Sequence, residues 1–150
     1  MLKFGGTSLA SPKDITNVAK TVSSFSEGNQ IVVVCSAVDG VTDTLILISA
    51  MIEQRKKKEV IKALDELIKK HKKLADQTIK NSTIKKQLLE KLNADVSELQ
   101  ELVRGLTLLK EVSARSLDYL ISFGERLSDD LVSFALQDIK KKSTALNGKE

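Results

Sequence analysis

A run of four β-branched residues, Ile31 to Val34, constrains the fold more than any other feature of the chain. Continuous apolar runs of this kind are typical of a strand that is buried on both faces, as in parallel sheets. A second, shorter strand is predicted at Met1 to Phe4. Because a helical pattern lies between the two strands, they are predicted to form the βαβ unit of an α/β domain.

The helices on either side of the β-branched run have recognisable starts. In the first helix, Ser11 can cap the free backbone N–H groups, Pro12 suits the first helical position, and Asp14 completes a capping box. The second helix is predicted to begin at Thr42 or Asp43, after a short loop. Strand, helix, strand and helix therefore alternate through the first third of the chain.

The stretch from Glu53 to Lys110 contains no proline and a single glycine. It is dense in Lys, Glu and Leu, and its apolar residues recur at helical spacing. Two long helices are predicted, at roughly 56–79 and 83–109, with Asn81-Ser82 as the turn between them. Because the connection is short, these helices are predicted to form an antiparallel hairpin that packs on the α/β part.

The end of the chain returns to shorter elements. Helices are predicted at 113–121 and 127–139, separated by Gly124-Glu125-Arg126. A further strand is predicted to begin at Ser143 to Leu146, followed by a turn at Asn147-Gly148. With that strand, the sheet would contain about three strands.

The composition excludes several classes of protein. The chain has 150 residues, of which 41% are hydrophobic and 29% charged, so it can bury a core and is neither disordered nor of low complexity. The lone cysteine, Cys35, lies in the apolar run, which predicts an inert core thiol in a reducing, cytoplasmic compartment. That run is too short to cross a membrane. We therefore expect no membrane partner.

A net charge of +4 permits a nucleic-acid partner, but other features predict none. Aromatic residues make up only 3% of the chain, so surfaces on which bases could stack are scarce. The lysine runs 56–58, 69–70 and 72–73 alternate with acidic residues at helical spacing, which predicts a solvated helix face. His71 lies in the same stretch and is predicted to be exposed. One His and one Cys also cannot form a structural zinc site.

The first segment that could carry chemistry is Lys3-Phe4-Gly5-Gly6-Thr7-Ser8, at the end of the first strand. Its glycines let the backbone approach phosphate oxygens closely and direct N–H groups at them. Lys3 would supply a mobile positive charge to a transferring phosphoryl group. The pattern differs from a Walker A loop, because the lysine precedes the glycines. A tight turn without a ligand remains the alternative.

The second segment, Ser36 through Thr42, follows the β-branched strand. Ligands of open parallel sheets bind at the carboxyl ends of the strands, and the next helix offers its N-terminus to an anion. The alternative is that Thr42 or Asp43 only caps that helix and Ser36 holds the loop.

The third segment is Gly124-Glu125-Arg126. Glu125 could bind an ammonium group, and Arg126 a carboxylate or phosphate. The alternative is that Gly124 ends one helix, Glu125 begins the next, and Arg126 is solvated.

Together and in this order, the three segments resemble the N-terminal part of an aspartate kinase (aspartokinase), of the amino acid kinase superfamily. The resemblance extends over essentially the whole chain, and Ser122-Phe123-Gly124-Glu125-Arg126-Leu127-Ser128 is close to versions seen in bacterial and archaeal members. It implies an amino acid kinase-like fold, a three-layer α/β sandwich around a partial parallel sheet. The long helical hairpin would be an insert at about residues 53–111.

The resemblance also implies ATP-dependent phosphorylation of the side-chain carboxylate of L-aspartate to 4-phospho-L-aspartate, the first step toward lysine, threonine and methionine. Lys3 would stabilise the transferring phosphoryl group, and Glu125 would pair with the amino group of the substrate. The implied phosphate-binding residues are Lys3, Phe4, Gly5, Gly6, Thr7 and Ser8. The implied substrate-binding residues are Ser36, Thr42 and Glu125.

ATP and Mg²⁺ are the cofactors that the resemblance implies. The carboxylate of aspartate is already ionised at pH 7, so the reaction needs no general base. Catalysis then consists of positioning two anions and neutralising their charge. The lack of a catalytic His or Cys pattern agrees with this chemistry.

Aspartate kinases continue past this point into the adenine-binding half of the catalytic domain and into ACT regulatory domains, and the sequence contains neither. We therefore expect residues 1–150 to be the N-terminal part of a catalytic domain with little or no kinase turnover alone. We also expect the chain to associate with another copy or with the missing half. Two other interpretations stay open: a different amino acid kinase, and a non-catalytic assembly module that uses the hairpin.

Overall fold

The computed structural model describes residues 1–146. Within this range the elements are β1 (Leu2–Phe4), a 3₁₀ turn (Gly6–Leu9), α1 (Pro12–Phe25), β2 (Val33–Cys35), α2 (Val41–Glu53), α3 (Lys57–Thr78), α4 (Ser82–Leu109) and α5 (Ala114–Asp138). No helix in that range has the length and apolar character that a membrane span needs.

Strands β1 and β2 form a parallel two-stranded sheet, which confirms the predicted βαβ unit and the α/β class. Phe4 pairs with Cys35, and the Ser36 N–H donates a hydrogen bond to the Phe4 carbonyl at 2.9 Å. Because the strands run in the same direction, their carboxyl ends lie at one edge of the sheet. The loops that follow Phe4 and Cys35 therefore begin side by side.

The expectation that the second strand is buried on both faces is wrong. Cys35 is buried, but Val32 is 63% exposed and Val34 is 40% exposed. Alternate residues of a strand point to opposite faces. Helix α5 packs against the face that carries Cys35, whereas the face that carries Val32 and Val34 stays open in the part of the chain described.

The starts of the first two helices differ in how well the sequence predicts them. α1 begins as predicted, and Ser11 Oγ accepts a hydrogen bond from the Asp14 N–H at 3.2 Å. α2 is not capped by Thr42 or Asp43. Its N-cap is Gly40, whose φ of 74° is a left-handed conformation that favours glycine. Thr42 therefore lies inside the first turn of α2.

Helices α3 and α4 form the predicted hairpin, with bounds close to those expected. The Asn81 side chain caps α4 by accepting hydrogen bonds from the N–H groups of Thr83 and Ile84 at 2.9 and 3.1 Å. Asp138, at the end of α5, accepts hydrogen bonds from the backbone N–H groups of Lys80 and Asn81, both at 2.9 Å. The turn of the hairpin is thus tied to the rest of the domain.

One hydrophobic core joins the hairpin to the α/β part. Its largest fully buried side chains are Leu9, Ile15, Leu45, Ile48, Ile52, Ile79, Leu88, Leu92, Leu99, Leu120, Phe123 and Leu127. Because the core is continuous, the hairpin is not a separate domain.

The two helices predicted at 113–121 and 127–139 are one continuous helix, α5, so the predicted break at Gly124 is wrong. Gly124 is buried in the middle of α5, where a Cβ would lie 2.9 Å from the Cβ of Ala37. A glycine in a helix interior costs about 1 kcal/mol relative to alanine. Here it lets α5 approach the loop after β2, so its role is close packing and not helix termination.

The prediction that His71 is exposed is also wrong, because only 1% of it is accessible. It continues the apolar stripe of α3 after Leu64 and Leu67, and its Nδ1 lies 2.9 Å from the Leu67 carbonyl oxygen. Burial lowers the pKa of His71 below its ordinary value. The lysines beside it are exposed, as predicted for a solvated face: Lys69, Lys70, Lys72 and Lys73.

The strand predicted at Ser143 to Leu146 is not formed. Side chains of α5 hold this segment instead: Gln137 Nε2 donates to the Ser143 carbonyl at 3.1 Å, and the hydroxyl groups of Ser133 and Ser143 lie 3.0 Å apart. The segment borders a groove of about 650 Å³ along the outer edge of β2. That edge has no strand partner within residues 1–146. The turn predicted at Asn147-Gly148 lies outside the described residues.

Candidate functional site

The three segments singled out in the sequence meet around the loop that follows β2. This loop leaves the carboxyl edge of the sheet beside the paired glycines, and helix α5 packs on it. We refer to the region formed by residues 3–8, 36–42 and 124–128 as the sheet-edge site.

Gly6 packs against the backbone of the loop. A Cβ on Gly6 would lie 2.9 Å from the Ala37 carbonyl oxygen and 3.5 Å from the backbone N and Cα atoms of Asp39. A Cβ on Gly5 would meet no atom of residues 1–146 within 4 Å. The two glycines therefore differ: Gly6 permits contact between two loops, whereas Gly5 leaves its backbone open to a ligand.

Two contacts hold α5 on the same loop. Ser128 is fully buried, and its Oγ donates a hydrogen bond to the Ser36 carbonyl at 2.7 Å. Gly124, one turn earlier, lies against Ala37. The backbone of Ser36 is thus bonded both to β1 and to α5, so Ser36 holds the loop through its backbone.

Lys3 is exposed on the open face of the sheet. Leu2 and Phe4, on either side of it, are half-buried and pack against the core. Lys3 pairs in register with Val34, which is also exposed. The Lys3 ammonium group is therefore accessible to solvent and to a ligand beside the carboxyl end of β1.

The residues after Lys3 form a compact turn. The Ser8 N–H donates to the Gly5 carbonyl at 3.0 Å, and Leu9 is fully buried, which anchors the turn in the core. Thr7 is exposed and Ser8 is half-buried. A rigid, open turn of this kind at a strand end can accept an anion on its backbone.

The predicted substrate residues lie on three different elements. Ser36 is in the loop after β2, Thr42 is in the first turn of α2, and Glu125 is on α5; the first two are half-buried and Glu125 is exposed. The N-terminus of a helix attracts anions, and a carboxylate attracts ammonium groups. The combination suits a ligand that carries both charges.

Sequence reasoning missed Asp129, which lies one turn after Glu125 on α5. Its carboxyl group accepts a hydrogen bond from the Cys35 thiol at the end of β2. Burial and the nearby charge of Glu125 raise the pKa of Asp129 to about 6. Burial and Asp129 raise the pKa of Cys35 to about 12, so the thiol stays protonated. The spacing of four residues from Glu125 is the signal that could have revealed Asp129.

The Arg126 side chain of the sheet-edge site contacts helix α4. Its Nη2 donates hydrogen bonds to Asp95 Oδ1 and, at 2.7 Å, to Glu98 Oε2, both on α4. Its guanidinium lies over the Phe123 ring, 4.4 Å from the centroid. Burial would lower the pKa of Arg126, but Glu98 and Asp95 hold it above its ordinary value. The alternative of a solvated Arg126 is wrong, since it pairs with carboxylates of the protein itself.

Asp95 belongs to a second acidic pair, with Asp130 of α5. Both residues are buried, and Lys91 Nζ lies 3.2 Å from Asp95 and 3.9 Å from Asp130. Burial and a hydrogen bond with Asp95 raise the pKa of Asp130 to about 7. Burial would also raise the pKa of Asp95, but hydrogen bonds with Asp130 and Arg126 hold it below its ordinary value. The pKa of Asp130 is therefore raised while that of Asp95 is lowered.

The described residues do not by themselves form a metal site. No group of three or more His, Cys, Asp or Glu side chains within residues 1–146 could hold a metal ion. Mg²⁺ in kinases is held largely by substrate phosphates together with one or two carboxylates. Mg²⁺ would therefore depend on the phosphates of bound ATP, and we assign no step to it.

Comparison with known proteins identifies the family. The sequence profile of the amino acid kinase family matches residues 1–150. The chain belongs to the amino acid kinase family.

This amino acid kinase chain is similar to several curated relatives. It is 29% identical over 148 residues to aspartokinase 1, chloroplastic, of Arabidopsis thaliana, covering 95% of this chain and 24% of the relative. It is 29% identical over 144 residues to the aspartokinase of Candida albicans, covering 91% of this chain and 25% of the relative. The chain thus spans about a quarter of the length of these relatives.

Solved structures give the same result for the fold. The amino acid kinase chain matches Escherichia coli aspartokinase III in complex with aspartate and ADP (R-state) with a TM-score of 0.76 and 25% identity, covering 93% of this chain and 29% of the other. The complex of the same enzyme with lysine and aspartate (T-state) matches with a TM-score of 0.77. The predicted amino acid kinase-like fold is therefore confirmed.

Proposed function

We propose that the chain is the N-terminal part of an aspartate kinase catalytic domain, which phosphorylates the side-chain carboxylate of L-aspartate with ATP. The product would be 4-phospho-L-aspartate, on the route to lysine, threonine and methionine. The observation that carries this proposal is the contact of Gly6 and Gly124 with the same residue, Ala37. These contacts bring the turn at residues 5–8 and helix α5, which carries Glu125, together at one edge of the sheet.

On the phosphate side, Lys3 and the turn that follows it would bind the polyphosphate of ATP. Lys3 has an exposed ammonium group and would neutralise charge on the transferring phosphoryl group. Gly5 leaves room for a phosphate oxygen to approach the backbone. The proposed phosphate-binding residues are Lys3, Phe4, Gly5, Gly6, Thr7 and Ser8.

On the aspartate side, Ser36, Thr42 and Glu125 would bind the substrate. A carboxylate of aspartate would accept hydrogen bonds from the hydroxyl groups of Ser36 and Thr42 and from the N–H groups at the start of α2. Glu125 would pair with the amino group. Aspartate in the ADP complex of Escherichia coli aspartokinase III is consistent with this substrate class.

The chemistry requires no proton acceptor from this chain. The aspartate carboxylate is ionised at neutral pH, so it can attack the γ-phosphorus directly. What the chain contributes is orientation of the two anions and positive charge between them. ATP fits the open turn and the exposed lysine, and Mg²⁺ would supply further charge neutralisation when bound. A reduced, buried Cys35 suits the cytoplasm or another reducing compartment.

The proposal is tested with Lys3→Ala, with Lys20→Ala as the control because Lys20 is exposed on α1. The chain would be mixed with the C-terminal part of an aspartokinase, and aspartate-dependent ADP release would be measured. We expect Lys3→Ala to lower the rate by about 100-fold or more, and Lys20→Ala to leave it unchanged. We expect little or no ADP release from the chain alone.

Binding gives a second measurement that needs no complementing partner. Titration of the ¹⁵N-labelled chain with inorganic tripolyphosphate should shift the amide signals of residues 4–8 in the wild type but not in Lys3→Ala. Aspartate-dependent ADP release by Lys3→Ala at the wild-type rate would contradict the proposed function.

A further inference from the structure

The helical hairpin contacts the sheet-edge site at two separate places. The first contact comes from α3, where Lys70 Nζ donates a hydrogen bond to the Asp39 carbonyl oxygen at 2.5 Å. Asp39 lies in the loop after β2, and its backbone, together with the Ala37 carbonyl oxygen, faces Gly6. Lys70 of the hairpin is therefore bonded to the same loop that packs on the turn at residues 5–8.

The second contact comes from α4. Asp95 and Glu98 both accept hydrogen bonds from Arg126, which directly follows Glu125 in α5. The Arg126 side chain is only 13% exposed, and its guanidinium packs on the Phe123 ring in a cation–π contact. Neighbouring residues of a helix point about 100° apart. Fixing Arg126 toward α4 therefore also fixes the direction in which Glu125 leaves the helix.

We infer that the hairpin positions the aspartate side of the site, with Lys70 and Arg126 as positioning residues. Lys70 holds the loop that carries Ser36 and leads to Thr42, and Arg126 holds the helix that carries Glu125. The identity of the substrate in this inference rests on the proposed function. That the two contacts hold the loop and helix α5 in place does not depend on the proposed function.

The Lys70 contact has a direct consequence for the backbone. In a trans peptide the C=O and the following N–H point in opposite directions. Because Lys70 fixes the Asp39 carbonyl, it also fixes the direction of the Gly40 N–H. Gly40 is the N-cap of α2, and because it lacks a Cβ it has access to more conformations than other residues have. Without Lys70, the start of α2 would lose an external constraint.

Positioning of this kind matters because ligand groups must be held to within a fraction of an ångström for phosphoryl transfer. The loop after β2 is otherwise held by Gly6 from one side and by Ser128 from another. Lys70 provides a further support, which comes from a part of the sequence that carries no motif.

The test is amide hydrogen exchange of the ligand-free 150-residue chain, comparing Lys70→Met with Lys69→Met. Lys69 is exposed and adjacent on α3. We expect Lys70→Met to accelerate exchange by about 5-fold at Val41 and Thr44, whose N–H groups donate to the Val38 and Gly40 carbonyls. Lys70→Arg should restore protection at these two amides, and Lys69→Met should have no effect. Equal exchange in Lys70→Met and wild type would overturn the role of Lys70, whatever the substrate.

The second contact is tested with Glu98→Gln, which preserves shape and removes charge, against Glu101→Gln on an exposed position of the same helix. We expect the dissociation constant for L-aspartate, from NMR titration, to rise about 2- to 10-fold in Glu98→Gln and in Lys70→Met, as for the loss of one hydrogen bond. Circular dichroism should show that both variants melt cooperatively. Unchanged aspartate affinity in both variants would refute the inference.

The two measurements separate the two proposals. If the wild-type chain bound no L-aspartate, the proposed substrate would be wrong, and the exchange rates of the Val41 and Thr44 amides would still decide whether Lys70 holds the loop. If aspartate bound normally and the exchange rates were unchanged, the proposed function would stand and the positioning role would fall.

Discussion

Gly124 of α5 lies directly against Ala37 of the loop after β2: a Cβ on Gly124 would be 2.9 Å from the Ala37 Cβ and 3.3 Å from Val41 Cγ1. Real Cβ atoms essentially never approach a carbon this closely, so only glycine fits here without movement. This one contact sets the distance between the helix that carries Glu125 and the loop that carries Ser36.

We predict that Gly124→Ala destabilises the protein although alanine is the better helix former. Overpacking a buried site costs about 1–3 kcal/mol, which outweighs a gain of about 1 kcal/mol in helix propensity. Gly105→Ala is the matched control, because Gly105 is also in a helix interior but has no atom of the described chain within 4 Å of a Cβ. Urea denaturation should show a lower unfolding free energy for Gly124→Ala and a higher one for Gly105→Ala. The opposite order would show that α5 can move away from the loop at no cost.

We predict that the adjacent glycines of the first segment respond differently to the same substitution. Gly6→Ala should lower the unfolding free energy by about 1–3 kcal/mol, because its Cβ would meet the Ala37 carbonyl oxygen at 2.9 Å. Gly5→Ala should leave the stability unchanged, because its φ of −80° and ψ of 170° are open to any L-residue. It should nevertheless weaken tripolyphosphate binding in NMR titration, since a methyl group would occupy the space at the backbone. Equal effects of both variants on stability would contradict this assignment.

Stability should fall as the pH is lowered through the ordinary pKa of histidine, because of His71. Burial keeps the pKa of His71 below 6.5 in the folded chain, so the unfolded chain binds the proton first. The contribution is fully present above pH 6.5 and is lost as the pH falls toward the folded pKa. His71→Leu should therefore lose less unfolding free energy than the wild type when the pH falls from 7 to 5, as measured by urea denaturation. An identical loss of unfolding free energy in wild type and His71→Leu would mean that other groups cause it.

Asp130 should act in the opposite direction. Its pKa of about 7 in the folded chain lies above its ordinary value of 3.8, because it is buried and bonded to Asp95. Its contribution is therefore complete below about pH 4 and is lost as the pH rises through 7. Asp130→Asn should become more stable relative to the wild type as the pH rises from 5 to 8. Asp129→Asn is the comparison, and its gain over the wild type should develop between about pH 4 and pH 6 and be complete above pH 6.

The elements of the fold were largely predictable from local pattern. The helix from Pro12 has a cap that acts within a few residues, and the hairpin has a long amphipathic stripe on each arm. Such signals depend on neighbours in sequence, so a single sequence contains them. The break at Gly124 was predicted wrongly because a glycine in a helix looks the same whether it ends the helix or packs closely.

The candidate site was also predictable only in part. Residue types indicated a phosphate-binding turn at residues 3–8, a ligand-binding loop at residues 36–42 and a substrate-binding carboxylate at Glu125. The orientation of Arg126 could not be read from the sequence, because its partners, Asp95 and Glu98, lie about thirty residues earlier in α4. The burial of His71 follows from packing against other helices.

The sequence by itself determined the family, the α/β class and the hairpin, because these depend on residue type and short-range spacing; the phosphoryl-transfer residues that it predicts stay a prediction. Only the tertiary structure decided that Gly6 and Gly124 meet at Ala37, that Lys70 bonds to Asp39 and that Asp95 and Asp130 are both buried beside Lys91. Those relationships join residues that are distant along the chain. They exist because burial of one common core brings the helices together, and no local pattern encodes the distances that result.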